Sequence, residues 1–336
     1  MKAIVVRGVG ELDALHLEDL PDPVPGPGQV VVRLRAAALN HRDLFICRGQ
    51  YAGLRFPIVL GSDGVGEVAS IGPGVRDVRV GDPVVINPSL EWGDDPRVQG
   101  PRFQILGHPD NGTFAEMVVV PVANVLPRPA GLSDEEAAAI PLAGLTAYRA
   151  VVTRGRVKRG ETVLVLGIGG GVATFVLLIA KHAGARVLAT SGSDAKLDRA
   201  RMLGAAAAFH YKTADWVKAV REATDGTGPD LIVDGTGGAP FEQALDAIRP
   251  GGRVVTYGAT LGPVPQLTVR RIFWKQLDIL GTTMGSPEDF RAMLALFGQG
   301  RLRPVVDRVF PLADAGAALR HMEQAAQFGK ITLRIA

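Results

Sequence analysis

From residue 160 onward, short apolar runs alternate with amphipathic segments, and that alternation restricts the fold more than any other feature of the chain. Strand-like stretches at 162–167, 186–191, 208–212, 230–236 and 252–259 are each separated by a helical pattern, as at 172–184, 195–205, 215–226 and 241–251. Strands joined through helices must run parallel and be covered on both faces, which predicts an α/β fold with a doubly wound (Rossmann) parallel sheet. Residues Thr162 to Ala180 carry no charge over 19 positions, close to the length of about 20 that spans a bilayer. Four glycines at the centre of that run argue against a membrane helix, since each costs ~1 kcal/mol relative to alanine. The run reads instead as a buried strand, a glycine turn and a buried helix.

Small residues between such a strand and helix let a pyrophosphate approach the backbone, where the helix N-terminus stabilises its charge. The spacing here is GxxGxxA through Gly167, Gly170 and Ala173, with Gly171 and Val172 between them, and not the strict GxGxxG. Taken alone the turn is a weak signal, and S-adenosylmethionine enzymes share such a sheet; the βαβ units that follow strengthen the dinucleotide reading. An NAD enzyme would present a carboxylate to the ribose hydroxyls at the end of the second strand, where this chain has Ser191, Gly192 and Ser193. Ser191, Ser193 and Lys196 could hold a 2′-phosphate, with Tyr211 covering the adenine, so the expected cofactor is NADPH. Asp194 lies close enough to keep NADH as the alternative.

At 336 residues the chain exceeds the roughly 250–300 at which single cores stop growing, so a second domain is expected. Residues 1–125 supply it: five short strand-like runs separated by Gly and Pro clusters predict a barrel-like β domain. Residues 127–141 link the two, and Ser133 with Glu136 has the spacing of a capping box. The last ~50 residues, with a helix near 287–299 and two strand-like runs, break the alternation and are expected to return to the first domain. The expected division is 1–125 with 286–336, and 126–285. With 37 basic and 34 acidic side chains and no aromatics inside its densest basic stretch, the chain has no nucleic-acid footprint. Cys47 alone cannot form an internal disulfide, and the start lacks the pattern of a signal peptide, so a cytoplasmic protein without a membrane partner is expected.

The runs LNHRDLFICRG (39–49), LGSDGVGEVASIGPGV (60–75), GDPVV (81–85), GTFAEMVVVP (112–121) and AAAIPLAGLTAY (137–148) precede the nucleotide domain. In that order they resemble the medium-chain dehydrogenase/reductase superfamily over nearly the whole chain. The zinc-free quinone oxidoreductase-like branch is the most similar, although INP (86–88) and RFQILG (102–107) resemble sequences labelled zinc-type alcohol dehydrogenase. The resemblance implies that the first domain is a GroES-like catalytic barrel. It places Asn40, Ser62 with Asp63, and Leu142 where the zinc enzymes carry metal ligands, and only Asp63 among them is a plausible ligand. Arg42 takes the position of the alcohol dehydrogenases' hydroxyl relay, and the segment Ser89 to Gln104 matches the structural-zinc lobe without a cysteine, with Trp92 and Asp95 standing where sulfur would be. Neither zinc is therefore expected, and the lobe must fold by packing.

Without a Lewis acid to generate an alkoxide, reduction of a quinone or an α,β-unsaturated carbonyl is the natural chemistry, because the conjugated oxygen accepts the developing charge. The resemblance sets Thr146 beside the nicotinamide and Asn40 in the former metal site, with Gly258, Ala259 and Thr260 lining the other side and Thr282 completing the cofactor set. Tyr51 and Arg42 are the candidate proton or hydrogen-bond donors; for Tyr51 an inert aromatic wall with protonation by solvent is the alternative. Asp43 and Asp63 read as organisers of loop backbone, and His41 and His108 as structural or surface histidines. An NAD(P)-dependent alcohol or aldehyde dehydrogenase, an NADPH-binding sensor or structural protein with little turnover, and a methyltransferase are the other readings. The partner is a small-molecule substrate, and an edge strand near 279–283 implies a homodimer by resemblance.

Overall fold

A computed structural model describes every residue except 11, 13, 14, 213, 214 and 336. Its contacts fall into two compact units, Met1–Ala143 with Ser286–Ala336, and Gly144–Gly285.

The first unit is built on a seven-stranded sheet. The ten-residue strand Gln29–Ala38 lies at its centre, antiparallel to Asp63–Ile71, Met117–Pro121 and Lys330–Arg334. The run at 29–38 alternates imperfectly and buries both faces at its end, because one side packs on Val68, Val84 and Ile86 and the other on Phe114, Leu319 and Ile331. Ser133 caps the helix Asp134–Ala138 through the Glu136 amide, and the Glu136 carboxylate returns to the Ser133 amide, as the spacing predicts. That helix packs on Gln29–Ala38 and Asp63–Ile71, and Val125–Pro127 pairs with Pro83–Ile86. Residues 126–143 thus fold with the first unit and not with the nucleotide domain, to which the linker composition assigned them. The C-terminal return comes through Val306–Pro311 pairing with Lys330–Arg334, and through the helix Ala315–Glu323, which the sequence reading did not single out.

In the lobe at 89–104, Trp92 is buried edge-on against Phe103 with centroids 5.4 Å apart, and its indole N–H donates to the Asp95 carbonyl. Packing and one short strand pair, Ser89–Leu90 with Gln104–Ile105, hold this loop.

The second unit is a six-stranded, fully parallel sheet. Its spatial order is Ala207–His210, Arg186–Ser191, Thr162–Val165, Leu231–Asp234, Arg253–Thr256, Asp278–Gly281, the 3-2-1-4-5-6 order of a doubly wound domain. Order reverses beside Thr162–Val165, the strand that runs into the glycine turn, which is where such sheets bind ligands. Among the described residues no helix is long and apolar enough to cross a membrane.

Candidate active site

In the first unit, the helix His41–Cys47 starts from Asn40, and Asp43 turns back to accept from the Asn40 amide at 2.7 Å and from the Gly61 amide at 3.3 Å. Asp43 therefore ties the helix start to the loop before Asp63. Burial pushes its carboxyl up to about 6, against the opposing influence of Arg42, the Asn40 amide and Lys330. Asp63 is fully buried, and both its oxygens are engaged. One accepts from the Leu142 amide at 2.8 Å; the other accepts from the Asn40 side-chain amide at 3.0 Å and from the Lys330 ammonium at 2.9 Å.

Lys330 is the residue that sequence reasoning missed. Its ammonium is 3% exposed and donates to three acceptors: the Leu39 carbonyl at 2.6 Å, the Asn40 side-chain oxygen at 2.7 Å and Asp63. An ammonium has three N–H groups, so its donor capacity is met. The Asn40 amide is thus clamped at both ends, by a cation on its oxygen and a carboxylate on its nitrogen.

Arg42 is buried on the same helix and reaches the Ser62 hydroxyl at 2.7 Å, the carbonyls of Ile105, Leu106 and His108, and the Tyr51 hydroxyl at 3.3 Å. Tyr51 packs edge-on against His108 with centroids 5.9 Å apart. His108 Nε2 accepts from the Arg55 amide, and burial together with Arg42 and Arg55 holds its pKa down. It is a structural histidine. Cys47 is buried and unpaired, with its thiol pushed up to about 12 by burial and the nearby Asp43, which leaves it inert as a nucleophile.

In the second unit, Gly167 has φ 69° and Gly169 φ 135°, conformations that a side chain would strain. A Cβ on Gly169 would also lie 2.7 Å from the Lys196 side chain, which crosses the turn. The helix Gly171–His182 begins at Gly170 without a side-chain cap, and the space a Cβ would take at Gly170 is open to at least 4 Å. Val172 and Ala173 follow in its first turn. These features suit the pyrophosphate of a dinucleotide, with a helix start that no side chain caps, open space at Gly170 and a lysine over Gly169.

Ser191 closes the second strand and is buried, and Ser193 starts the helix Asp194–Leu203 without a side-chain cap bond. A Cβ on Gly192 would lie 2.7 Å from Lys212 Cε and 2.9 Å from the Tyr211 hydroxyl. Tyr211 and Lys212 thus converge on the strand end, whereas Lys196 extends over the glycine turn. Lys212 escaped the sequence reading although its neighbour Tyr211 was singled out, because the strand-like run extends to 212 in sequence whereas the strand ends at His210 and the chain then turns back toward Gly192.

Thr146 is buried in the helix Pro141–Tyr148, its hydroxyl 4.0 Å from the Met284 sulfur. The fifth strand ends at Thr256, so Gly258, Ala259 and Thr260 lie in the exposed loop after it, where Thr260 bonds back to the Gly235 carbonyl. Thr282 follows the sixth strand, and its buried hydroxyl lacks a protein partner. Asp234 closes the fourth strand by accepting from Thr236 and Gly237, its carboxyl held up by burial. Asn40, expected to be both catalytic and cofactor-binding, and Tyr51 belong to the first unit; Thr146 and the other expected cofactor-binding residues belong to the second.

Residues 26–130 match the family described as alcohol dehydrogenase GroES-like domain, and residues 171–299 match the zinc-binding dehydrogenase family. A zinc-type alcohol dehydrogenase-like protein of Leptosphaeria maculans is 36% identical, covering 96% of this chain and 94% of its own. An acryloyl-coenzyme A reductase of Metallosphaera sedula is 31% identical, covering 99% of each. Among solved structures, one described as an NAD-dependent alcohol dehydrogenase superposes with a TM-score of 0.96 at 45% identity over the full length of both chains. A mycobacterial protein complexed with NADPH superposes with a TM-score of 0.86 at 29% identity, also over both full lengths. Fold, glycine turn and relatives agree: the chain belongs to the medium-chain dehydrogenase/reductase superfamily and is an NAD(P)H-dependent oxidoreductase.

Proposed function

We propose that the protein reduces an α,β-unsaturated carbonyl or a quinone with hydride from NADPH and does so without zinc. The observation that carries this reading is the Lys330 ammonium hydrogen-bonded to both Asn40 and Asp63, at two of the three positions where the zinc relatives carry ligands. A zinc ion would need lone pairs on these groups, but Asp63 already accepts three hydrogen bonds and the Asn40 oxygen accepts one from a cation. Leu142 offers no ligand atom, and a dication beside a fixed ammonium is repelled. The residues do not suit the metal.

When bound, the dinucleotide supplies the hydride. The chain's own contribution is to hold the phosphates at the uncapped turn, clamp Asn40 and present the Tyr51 hydroxyl; a conjugated carbonyl needs little more, because its oxygen receives the charge. An acryloyl-coenzyme A reductase among the relatives supports an activated alkene as substrate. The alcohol dehydrogenase at 45% identity supports a second reading, NAD-dependent alcohol or aldehyde chemistry.

A screen of nicotinamide oxidation across enones, quinones and aldehydes, run beside elemental analysis, separates the two. Enone or quinone turnover should survive chelators, exceed alcohol oxidation by ~100-fold or more, and accompany substoichiometric zinc. One tightly held zinc per chain, with alcohol oxidation that chelators abolish, would reject the proposal.

A homodimer through the edge strand Asp278–Gly281 is the accompanying proposal. That strand pairs on one side with Arg253–Thr256, and the preceding helix Val269–Lys275 buries none of its residues, leaving Phe273 63% and Trp274 74% exposed. An open strand edge beside exposed aromatics is a surface that self-pairing would cover. Light scattering should give twice the chain mass, and Ile279→Pro, which removes a donor from the edge because Asp278 and Thr282 on either side donate inward to Gly252 and Thr256, should shift it toward one; a monomeric parent would dismiss the idea.

A further inference from the structure

The strand Met117–Pro121 keeps an open edge. The Leu34 amide bonds to the Glu116 carbonyl and the Val122 amide to the Gly28 carbonyl, which fixes the phase of its ladder with Gln29–Ala38. In that phase Val118 and Val120 turn their backbone groups to the sheet, and the N–H and C=O of Met117 and Val119 point away from it. None of these outward groups has a hydrogen-bond partner among the described residues. Lys2–Val6 covers the stretch just before, where Ala3 bridges Ala115 in the antiparallel sense and the Glu116 amide donates to the Lys2 carbonyl. Past Glu116 that cover ends. An unpaired strand edge is a template for another chain, and proline is one of the devices that blunt it. On this strand only Pro121, at the far end, lacks an N–H.

A cavity of about 520 Å³ runs along this edge and lies wholly in the first unit. Val59, Leu90 and Leu106 give it apolar walls, and Glu91 and Asp110 add carboxylates to its lining. Among the described residues no lysine or arginine lines it, and the Met1 ammonium beside it is paired with Asp22 at 2.7 Å. Glu91 meets Arg102 at 3.3 Å, but both side chains are more than half exposed, and such pairs contribute only ~0–1 kcal/mol. Free backbone donors and acceptors in a row, apolar walls and uncompensated carboxylates match an extended, cationic segment of chain.

We propose that this groove binds an extended peptide in which lysine or arginine alternates with apolar residues, and that the peptide adds as a strand to the open edge of Met117–Pro121. Main-chain hydrogen bonds to Met117 and Val119 supply the affinity, and alternate side chains supply the selectivity. The apolar set takes the wall of Leu90 and Leu106, and the cations take Glu91 and Asp110. The added strand runs antiparallel, in line with Lys2–Val6, which already meets Ala115 in that sense. At ~3.3 Å per residue, the stretch from Met117 to Pro121 accommodates about four or five residues of partner. The site is confined to one unit and is independent of the reduction chemistry.

The test is an NMR titration of the full-length, amide-labelled protein with an acetylated, amidated hexapeptide of alternating valine and lysine. The Met117 and Val119 amide signals should shift, and their hydrogen exchange should slow about 10-fold as new hydrogen bonds protect them. The matching hexapeptide of valine and glutamate should bind about 10-fold more weakly, since its charges meet carboxylates of the same sign. Val119→Pro removes an outward donor at a position in phase with Pro121, so the ladder to Gln29–Ala38 is kept. It should weaken the lysine peptide about 10-fold through the lost hydrogen bond and the ring that blocks the edge. Glu91→Gln, which leaves the backbone donors in place, should weaken the lysine peptide about 3-fold and narrow the gap to the glutamate peptide, and it serves alone if Val119→Pro does not fold. No binding of the lysine peptide at about 1 mM, equal binding of the two peptides, or shifts that spare Met117 and Val119 overturn the inference.

Discussion

Lys330→Met should lower the free energy of unfolding by about 3–5 kcal/mol, the cost of leaving a buried carboxylate without its cation. Asp63 is fully enclosed and Lys330 is 3% exposed, so neither water nor salt screens the pair. Methionine fills nearly the same volume, which confines the change to the charge and its three hydrogen bonds. The loss should be reversed by more than half in Lys330→Met with Asp63→Asn, because an asparagine oxygen still accepts from the Leu142 amide while the stranded charge is gone. Turnover should not recover in parallel, since the Asn40 amide loses the ammonium that clamps its oxygen. Urea denaturation of the parent and the two variants measures the first part and steady-state kinetics the second. A single-variant loss below about 1 kcal/mol would show that something other than Lys330 compensates Asp63.

That pair also marks where sequence reading ends. The parallel sheet was legible because its signals are local: apolar runs of four to six residues, amphipathic helices between them and glycines at their ends all fall within one βαβ unit. The capping box at Ser133 and Glu136 was legible for the same reason. Lys330 and Asp63 are 267 positions apart, and a lone lysine opening an apolar strand looks the same whether it faces water or a buried carboxylate. The helix Ala315–Glu323 follows a weak pattern of alanines, whose burial depends on the core formed by Phe114 and Ile331. Residues 113–116 lie just before the strand Met117–Pro121 and outside its ladder. There Phe114 bonds to Leu60 and Ile4, and the Thr113 hydroxyl to the Asp63 carbonyl, so the ladder begins only at Met117. Asp43 and Asp63 do organise backbone, as short carboxylates near turns suggest, but their burial and the cation between Asp63 and Asn40 are products of tertiary packing.

Lys212→Ala should weaken NADPH about 10–100-fold and leave NADH within about 2-fold, whereas Lys196→Ala should weaken both dinucleotides by similar factors. The reason is where the two ammonium groups lie. Lys196 crosses Gly169, on the turn that would take the pyrophosphate, a group common to NADH and NADPH. Lys212 and Tyr211 close on Gly192, at the end of the second strand where the two cofactors differ by a 2′-phosphate. A charge-assisted hydrogen bond to that phosphate contributes ~1.5–3 kcal/mol, and ~1.4 kcal/mol is tenfold in affinity. Asp194 is exposed in the first turn of its helix and adds no buried carboxylate at the strand end to repel a phosphate. A dinucleotide titration followed by nicotinamide fluorescence measures the six dissociation constants, two for the parent and two for each variant. If the parent prefers NADH, as the structure described as NAD-dependent at 45% identity would suggest, or if Lys196→Ala alone discriminates, then the 2′-phosphate is not read at Gly192.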